Sequence, residues 1–281
     1  MSSRQPRSML FVSGEKVERF AKAMAAGADL VCIDLEDAVH PEKKGEARGQ
    51  VLGWLKGAAR SAQGPEVALR LNGLRTLDGI RDVLAFVESG VQVDWLLLPK
   101  TEHAADIQAL EAWCGGQVGA FTALVETPLG IENLASIARA GGKLGALMLG
   151  GADLSAELDA QFNWEGLLSA RGRLVNAAKS TGLQAWDVPN VDLSSDEGLA
   201  TETRKALALG FGCKTAIHPR QVNTIHAAFT PTSAEMEWAT VLLQAVPEGQ
   251  ASGAFLFQEK MVDAPLLKKA RRIVALARAS S

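Results

Sequence analysis

Polar and charged side chains stand where short apolar runs of this sequence end. Seven of eight such runs finish in residues able to bind a metal, hold an anion or move a proton: Asp34, Glu36 and Asp37; Arg70 and Asn72; Lys100; Glu126; Asp153; Asp187; and His218. Carboxylates gathered at one place repel one another unless a cation compensates them. The pattern therefore indicates a site for a metal ion.

Glu126 and Asp153 are the residues best suited to bind a metal. They follow neighbouring apolar runs, and each supplies a carboxylate, the hard oxygen ligand that Mg2+ takes beside water and substrate oxygens. The chain has no zinc-type cluster of Cys and His, so Mg2+ is expected, with Mn2+ as the alternative. Gly150 and Gly151, just before Asp153, allow the backbone to approach a ligand closely.

Each of these residues also has a structural explanation. A lone Arg or Asp at a strand end often seals the sheet with an ion pair, and His218 suits a structural place as well as one beside a substrate. His40, His103 and His226 have no partner pattern and are expected at the surface or on helices. No GxSxG elbow, Walker loop or GxGxxG after a first strand is present.

The eight apolar runs predict eight strands that are buried on both faces. The runs are 9–12, 30–35, 67–72, 95–100, 121–126, 146–151, 183–188 and 215–219, and helix-like segments such as 17–28, 77–90, 131–142 and 195–212 alternate with them. Eight such units in this length predict an α/β fold, a closed (β/α)8 TIM barrel. Barrel chemistry lies at the C-terminal ends of the strands. Arg70 and Asn72, two residues apart, are expected on one side of their strand.

The pattern changes after the eighth run. Residues 230–246 predict one more helix, 247–254 a flexible connector, and 255–281 a tail that ends in an amphipathic helix. We therefore expect a catalytic barrel at 1–246 and a C-terminal extension at 247–281. The extension is expected to pack as a lid on the barrel mouth or on a neighbouring subunit.

Composition excludes several other classes of protein. A net charge of −3 gives no basic surface for nucleic acid, so no nucleic-acid partner is expected. No apolar run approaches the roughly 18 residues of a membrane span, and the N-terminal run is too short for a signal peptide. Three cysteines without CxxC spacing predict no disulfide framework. These features favour a reducing, cytoplasmic compartment without membrane contact.

Eight sequence blocks resemble one family. The blocks are RSMLFVSG (7–14), DLEDAV (34–39), RLN (70–72), LPK (98–100), ETPLGIEN (126–133), GGADL (150–154), IHPRQ (217–221) and KMVDAP (260–265). In this order they are similar to the citrate lyase β-subunit-like group of the HpcH/HpaI aldolase/citrate lyase superfamily, including stand-alone citramalyl-CoA and malyl-CoA lyases. The resemblance covers nearly the whole chain.

The resemblance implies a role for each matching residue. Glu126 and Asp153 look like the two Mg2+ ligands, and Arg70 like the arginine that contacts the substrate beside the metal. The site residues that it adds are Glu36 and Asp37, which order Arg70 and metal-bound water; Gly151 and Ala152, which contact substrate; Arg7 and Lys100, which line the mouth toward the thioester carrier; and Asp263, the general acid/base of the C-terminal segment.

Two positions depart from the family pattern. Ser13 stands where the family usually has Pro, and Glu259 stands where it usually has Gly before Lys260. The first departure is expected to change a loop locally. The second affects how the C-terminal segment presents Asp263.

The resemblance implies a Mg2+-dependent carbon–carbon lyase. It would cleave a citramalyl-, malyl- or citryl-thioester, carried by CoA or an acyl carrier protein, into a keto acid and an acetyl thioester, or run the reverse condensation. A homo-oligomer, a trimer or hexamer, is expected. Three alternatives stay open: a citrate lyase β subunit that needs partner chains, a phosphoenolpyruvate- or pyruvate-type barrel enzyme, and a degenerate barrel serving as a scaffold.

Overall fold

Eight parallel strands form a closed barrel in the computed structural model, which describes residues 5–58, 64–246, 254–258 and 260–280. Each strand pairs with the next, and the eighth pairs with the first. This confirms the predicted (β/α)8 barrel. The strands are β1 (Ser8–Ser13), β2 (Leu30–Asp34), β3 (Glu66–Arg70), β4 (Val93–Leu98), β5 (Val118–Val125), β6 (Leu144–Leu149), β7 (Gln184–Asp187) and β8 (Cys213–Ala216).

Helices alternate with the strands of the barrel, and two more follow the last of them. They are α1 (Phe20–Met24), α2 (Lys44–Gly57), α3 (Leu77–Ser89), α4 (Ala104–Cys114), α5 (Pro128–Glu132), α6 (Leu134–Ile137), α7 (Gly151–Glu157), α8 (Leu168–Ser180), α9 (Asp196–Leu209), α10 (Gln221–Phe229), α11 (Ser233–Gln244) and α12 (Ala264–Ser280). The predicted caps are present: Ser195 accepts a hydrogen bond from Gly198 N, and Gly210 ends α9 in the left-handed conformation. Among the helices described, none is long and apolar enough to cross a membrane.

Alternate residues of the strands fill the interior of the barrel. Trp95 and Trp186 meet there with ring centroids 4.7 Å apart, and each indole N–H is bonded, to Glu66 and Gln184 respectively. The rest of this core is Met9, Leu30, Cys32, Ala68, Leu97, Ala120, Leu124, Ala146, Met148 and Cys213. The three cysteines, Cys32, Cys114 and Cys213, are buried and free.

The same alternation decides which polar residues point into the mouth. Because successive side chains alternate between the two faces, the residue two positions after an interior one is also interior. Asp34 follows Cys32 in this way, Arg70 follows Ala68, and Glu126 comes two residues after Leu124, just past the end of β5. These three chemically active side chains therefore share the C-terminal mouth of the barrel.

The chain divides into two compact units, Met1–Ile225 and His226–Ser281. In the second unit, α11 packs on α12, and a short antiparallel pair, β9 (Phe255–Phe257) and β10 (Lys260–Val262), precedes α12. The apolar core of this unit contains Ala239, Leu242, Val262, Leu267, Ala270 and Ile273. The predicted connector, except for Ala254, and Glu259 lie outside the described residues.

Gly79 gives a test of how tightly the helix layer packs behind β3. A Cβ atom at Gly79, in the first turn of α3, would stand 2.1 Å from the carbonyl oxygen of Gly73, which is backbone and cannot move aside. Gly79→Ala is expected to lower the free energy of unfolding by about 1–3 kcal/mol, measured by thermal unfolding. Gly53→Ala is the matched control, since no atom lies within 4 Å of a Cβ there. It should be neutral or stabilising, and equal losses in both variants would contradict the packing argument.

Candidate active site

Arg70 and Asp34 form a buried two-pronged ion pair at the mouth of the barrel. They end β3 and β2 and lie opposite each other in the parallel register. Arg70 Nε donates to Asp34 Oδ1 at 2.7 Å, and Nη2 donates to Oδ2 at 2.6 Å. The ring of Phe11, from β1, lies 5.0 Å from the guanidinium carbon. The pair fixes the plane of the guanidinium and turns its remaining nitrogen, Nη1, toward other acids.

Asp34 also holds the acidic loop that follows β2. Its two oxygens accept the backbone N–H groups of Glu36 at 2.8 Å and Ala38 at 3.1 Å. Glu36 Oε2 then lies 2.9 Å from Arg70 Nη1, and Asp37 Oδ2 lies 3.4 Å from it. The predicted acidic pair, Glu36 and Asp37, is thus brought to Arg70, with Asp34 as the organising residue.

Ser13, the first departure from the family pattern, acts on the same loop. Its hydroxyl donates to the carbonyl of Ala38 at 2.5 Å and accepts the N–H of Glu15 at 3.3 Å. Proline at this position has no hydroxyl and could make neither bond. Ser13 therefore ties the end of β1 to the acidic loop.

Lys100, Glu126 and Asp153 form a second cluster at the mouth. Lys100, with a φ of 50°, donates its backbone N–H to Glu126 Oε1 at 2.8 Å and places its ammonium 3.2 Å from Asp153 Oδ2. A Cβ at Gly150 would stand 2.3 Å from Glu126 Oε2, so a side chain at that position would displace the carboxylate. The glycine is required because Glu126 lies directly against the backbone before α7.

The two clusters contain more carboxylates than cations. Burial raises the pKa of Glu126 to about 7 and that of Glu36 to about 9, although Arg70 opposes both shifts. Burial lowers the pKa of Lys100, but the Asp153 carboxylate outweighs it, so that the pKa lies above its ordinary value. Asp153 Oδ2 is buried without an aligned hydrogen bond. A cation bound between Glu126 and Asp153 would relieve this imbalance.

The donor set fits a hard divalent cation. Glu126 and Asp153 supply carboxylate oxygens, and Mg2+ is commonly held by one or two protein carboxylates with water and substrate oxygens completing its shell. No group of three or more His, Cys, Asp or Glu side chains with metal-binding geometry occurs in the part of the chain that the structure describes. That finding disfavours a closed structural zinc site and is compatible with a two-carboxylate site.

A cavity of about 160 Å3 lies between the two clusters and the loops above β6 and β7. Its polar and charged lining comes from Asp37, Arg70, Glu126 and Asp153, together with Gly150, Gly151 and Ala152. Its apolar lining comes from Phe11, Leu124, Met148, Leu149, Phe162, Pro189 and Val191. The cavity therefore presents both charged and apolar groups to a small molecule.

Arg7 is not at this site, and the expectation that it lines the mouth is wrong. It precedes β1 and so lies at the N-terminal end of the barrel, where its guanidinium bonds both carboxylate oxygens of Asp29 at 3.0 Å. Its backbone N–H bonds Asp29 as well. Position at the start of a strand places a side chain at the end opposite the mouth.

Asp187 and Asn72 also stabilise the fold rather than line the cavity. Asp187 follows the interior residue Trp186, so it faces the helix layer, where it pairs with the buried cations Arg171 at 2.9 Å and Lys214 at 2.7 Å. Asn72 lies beyond the end of β3 and bonds the loop after β2 and Asp82 of α3. The expectation that Asn72 shares the side of Arg70 fails because the strand ends at Arg70.

The histidines do not enter the cavity lining. His218 is exposed, and its Nδ1 accepts the N–H of Arg220. His40 and His103 stand at helix N-termini, and His226 lies on α10. Within the second unit, Asp263 is exposed and caps α12, accepting the N–H of Leu266 at 3.3 Å.

Comparison with known proteins decides the family. The family described as HpcH/HpaI aldolase/citrate lyase matches residues 7–219, and that described as a C–C bond lyase of the TIM-barrel fold matches residues 170–280. The chain belongs to the HpcH/HpaI aldolase/citrate lyase family. Membership confirms the resemblance seen in the sequence and makes the chain a carbon–carbon lyase.

Individual relatives match along almost the whole chain. Mitochondrial citramalyl-CoA lyase of Rattus norvegicus is 33% identical over 96% of this chain and 86% of its own length. Citrate lyase subunit beta of Haemophilus influenzae is 33% identical over 97% of each chain. Protein CitE from Mycobacterium tuberculosis, solved in complex with magnesium, acetoacetate and coenzyme A, has a TM-score of 0.85 and 32% identity, over 99% of this chain and all of its own.

Two parts of the site were missed in the sequence. The sequence motifs place Asp34 at the end of its strand but assign it no role. Because Asp34 stands two residues after Cys32, the alternation of side chains along the strand predicts that it points into the barrel. For the apolar lining of the cavity, no motif or spacing in the sequence indicated a place at the site. Phe162, Pro189 and Val191 lie in loops far from the motifs, and only the closed barrel brings them to Arg70.

Arg70→Lys tests whether Arg70 binds substrate or only forms a structural ion pair. A point charge cannot reproduce the two-pronged contact with Asp34, so lyase activity should fall by about a hundredfold or more, with a stability loss of about 1–3 kcal/mol. Arg48→Lys is the matched control, because Arg48 makes a similarly buried pair with Asp82 between α2 and α3. It should lose similar stability and keep its activity, as thermal unfolding and keto-acid release would measure. Near-normal kinetics in Arg70→Lys would exclude a role for Arg70 with substrate.

Proposed function

We propose that this chain is a Mg2+-dependent lyase that cleaves a short 3-hydroxyacyl-CoA thioester of the citramalyl, malyl or citryl type, releasing a keto acid and an acetyl thioester. The observation that carries the proposal is the juxtaposition of Glu126 and Asp153 with the buried Arg70 at the barrel mouth. Support comes from the M. tuberculosis relative, which was solved with magnesium, acetoacetate and coenzyme A.

Glu126 and Asp153 would hold the Mg2+. Both present hard oxygen donors, and Asp153 Oδ2 is buried without an aligned hydrogen bond. When bound, Mg2+ would polarise the keto-acid oxygens and orient the reacting carbon. Lys100, whose ammonium lies 3.2 Å from Asp153, would move aside toward the thioester carrier as the metal binds.

Arg70 would hold the substrate through the nitrogen that Asp34 does not use. This nitrogen, Nη1, faces Glu36 and Asp37, and Arg70 lines the cavity. Arginine binds carboxylate and carbonyl oxygens with directed, charge-assisted hydrogen bonds. The backbone of Gly151 and Ala152 would contact the same end of the substrate.

The cleavage needs one base and one acid. A carboxylate of the site would take the hydroxyl proton, the O–H electron pair would form the carbonyl, and the adjacent carbon–carbon bond would break. Its electron pair would pass to the thioester as an enolate, and protonated Asp263 would deliver a proton to the enolate carbon. In condensation the same steps run in reverse, with Asp263 as the base.

A second candidate is a citrate lyase β subunit that works only with partner chains. The 33% identity to the H. influenzae subunit over 97% of both chains favours it. The two candidates differ in what the isolated chain does, because a stand-alone lyase needs no partner to cleave a CoA thioester. The cytoplasmic location and the homotrimer or homohexamer stay predictions.

The test of the function is an assay of the purified chain alone. With Mg2+ it should release keto acid from at least one of citramalyl-, malyl- and citryl-CoA, and chelation of Mg2+ should stop the release. Activity that appears only on an acyl-carrier thioester, or only with added citrate lyase subunits, would favour the second candidate.

The metal ligands are tested by binding as well as by activity. Glu126→Gln and Asp153→Asn remove one charge each with little change of shape, so each should weaken Mg2+ binding by about a hundredfold or more in calorimetry, with unfolding temperature unchanged. Glu132→Gln is the control, because Glu132 is exposed and pairs with Arg173. Normal Mg2+ affinity in the first two variants would place the metal elsewhere.

Asp263→Asn distinguishes catalysis from helix capping. Asn caps a helix about as well as Asp, so the variant should keep its stability and lose turnover by about a hundredfold or more, as expected when a general acid is removed. Thermal unfolding and steady-state kinetics provide the two measurements. Full turnover would leave Asp263 with the capping role alone, which the bond to Leu266 N already supports.

A mixing experiment asks whether Asp263 acts on a neighbouring subunit. Oligomers co-assembled from Asp263→Asn and Glu126→Ala chains should regain part of the activity if the tail works in trans. Sites that combine an intact barrel with an intact tail would then form. No recovery after verified co-assembly would indicate action within one chain.

A further inference from the structure

Helix α3 carries an apolar stripe on its outer surface. Four large apolar side chains of this helix are between 37% and 70% exposed: Leu77, Ile80, Leu84 and Val87. They are spaced by three, four and three residues and therefore lie along one face of the helix. The barrel core is contacted by other residues of α3, among them the buried Val83 and Phe86. The stripe is thus not needed to hold α3 on the barrel, and its spacing is typical of a seam between two packed helices.

Trp113 of α4 extends this stripe. Its side chain is 57% exposed. Arg75, just before α3, reaches Asp106 of α4 at 3.1 Å, so the Asp106 face of α4 is turned toward α3. Trp113 comes seven residues after Asp106, about two helical turns, and shares that face. Gln117, after α4, donates to the carbonyl of Phe86 and holds the ends of the two helices together. Trp113 therefore lies beside the second half of the stripe.

These five side chains form one apolar surface, the α3–α4 patch: Leu77, Ile80, Leu84, Val87 and Trp113. At their exposures they present on the order of 300–500 Å2 to water. A contiguous apolar patch of this size on a folded protein commonly marks a surface that another molecule covers. A stable protein–protein interface buries about 800 Å2 on each partner, so the patch has the size of an interface core that a polar rim would surround.

The charges beside the stripe indicate what covers it. Arg81 and Glu88 are exposed, and Leu84 stands between them, three residues after Arg81 and four before Glu88. Arg81 makes a loose contact with Asp78 at 3.6 Å. A second α3 that crosses antiparallel at Leu84 would bring Arg81 of each copy beside Glu88 of the other. A parallel arrangement would keep the two charges about two turns apart. The patch is therefore complementary to itself in the antiparallel arrangement.

We infer that the α3–α4 patch is a two-fold contact between two copies of this chain, with their α3 helices antiparallel. A contact of this kind uses the same patch on both partners and closes on itself. Of the trimer and the hexamer expected from the sequence, only the hexamer, as two joined trimers, contains two-fold axes. The inference does not depend on the proposed lyase activity.

Sedimentation velocity gives the first test. The unmodified chain should form assemblies with an even number of subunits. Leu84→Arg should halve that number, because it places two like charges at the centre of the apolar seam. Leu168→Arg is the matched control, since Leu168 is 44% exposed at the start of α8, outside the patch. A monomer or a trimer of the unmodified chain, or an unchanged mass of Leu84→Arg, would overturn the inference.

Cross-linking locates the contact without disrupting it. Cys32, Cys114 and Cys213 are buried, so a cysteine introduced at an exposed position supplies the accessible thiol. Leu84→Cys should join two chains by a disulfide under mild oxidation, because the two-fold axis passes close to this residue. Leu168→Cys should stay unlinked under the same conditions. Equal linking in both variants, or none in either, would contradict a two-fold contact at Leu84.

Exchange of the two charges tests the antiparallel arrangement. Arg81→Glu should weaken association of the copies by about tenfold or more, since it faces Glu88 of the other copy with a like charge. The double variant Arg81→Glu with Glu88→Arg restores both opposite-charge pairs and should associate nearly as tightly as the unmodified chain. Thermal unfolding of each variant verifies that the barrel is intact. A double variant that associates no better than Arg81→Glu alone would show that the proposed pairing across the two-fold axis is wrong.

Discussion

The Arg70–Asp34 pair is the interaction on which the rest of the site depends. Its two short hydrogen bonds join the ends of neighbouring strands and fix the guanidinium plane at the barrel mouth. Asp34 also accepts two backbone N–H groups of the loop that follows, so the orientation of Arg70 and the position of Glu36 have one cause. Breaking such a buried pair leaves an uncompensated charge, which costs about 3–5 kcal/mol. Substrate recognition and local folding are therefore coupled at one residue.

A second constraint is the shortage of positive charge around that pair. Burial raises the pKa of Glu36 and of Glu126, which means that the folded chain holds both carboxyl groups where ionisation is unfavourable. A structure optimised for stability alone would place apolar side chains there. A divalent cation and an arginine-bound substrate would balance the charge of these carboxylates. Binding of the cation and the substrate is therefore favoured at this site. Lys100, held in a left-handed backbone conformation, contacts both Glu126 and Asp153 and links them.

Apart from the Arg70–Asp34 pair, the most buried ion pairs lie outside the cavity. They lie in the helix layer or at the opposite end of the barrel: Asp187 with Arg171 and Lys214, Arg48 with Asp82, and Arg7 with Asp29. The paired Trp95 and Trp186 fill the interior below the mouth. The mouth itself is lined by both charged groups and apolar side chains, among them Arg70, Glu126, Phe11 and Phe162.

The sequence by itself determined the eight strands, the closed barrel, the family and the ring of acidic and basic residues at the strand ends, because local alternation and ordered motifs carry that information. Its order also places Arg7 before the first strand, at the N-terminal end of the barrel, but the family resemblance assigned this residue to the mouth. The sequence did not assign Asp34 its role, because an ion pair between β2 and β3 depends on register. The apolar lining of the cavity was beyond reach for the same reason: Phe11, Phe162 and Val191 come from distant parts of the chain, and only closure of the barrel brings them to one cavity.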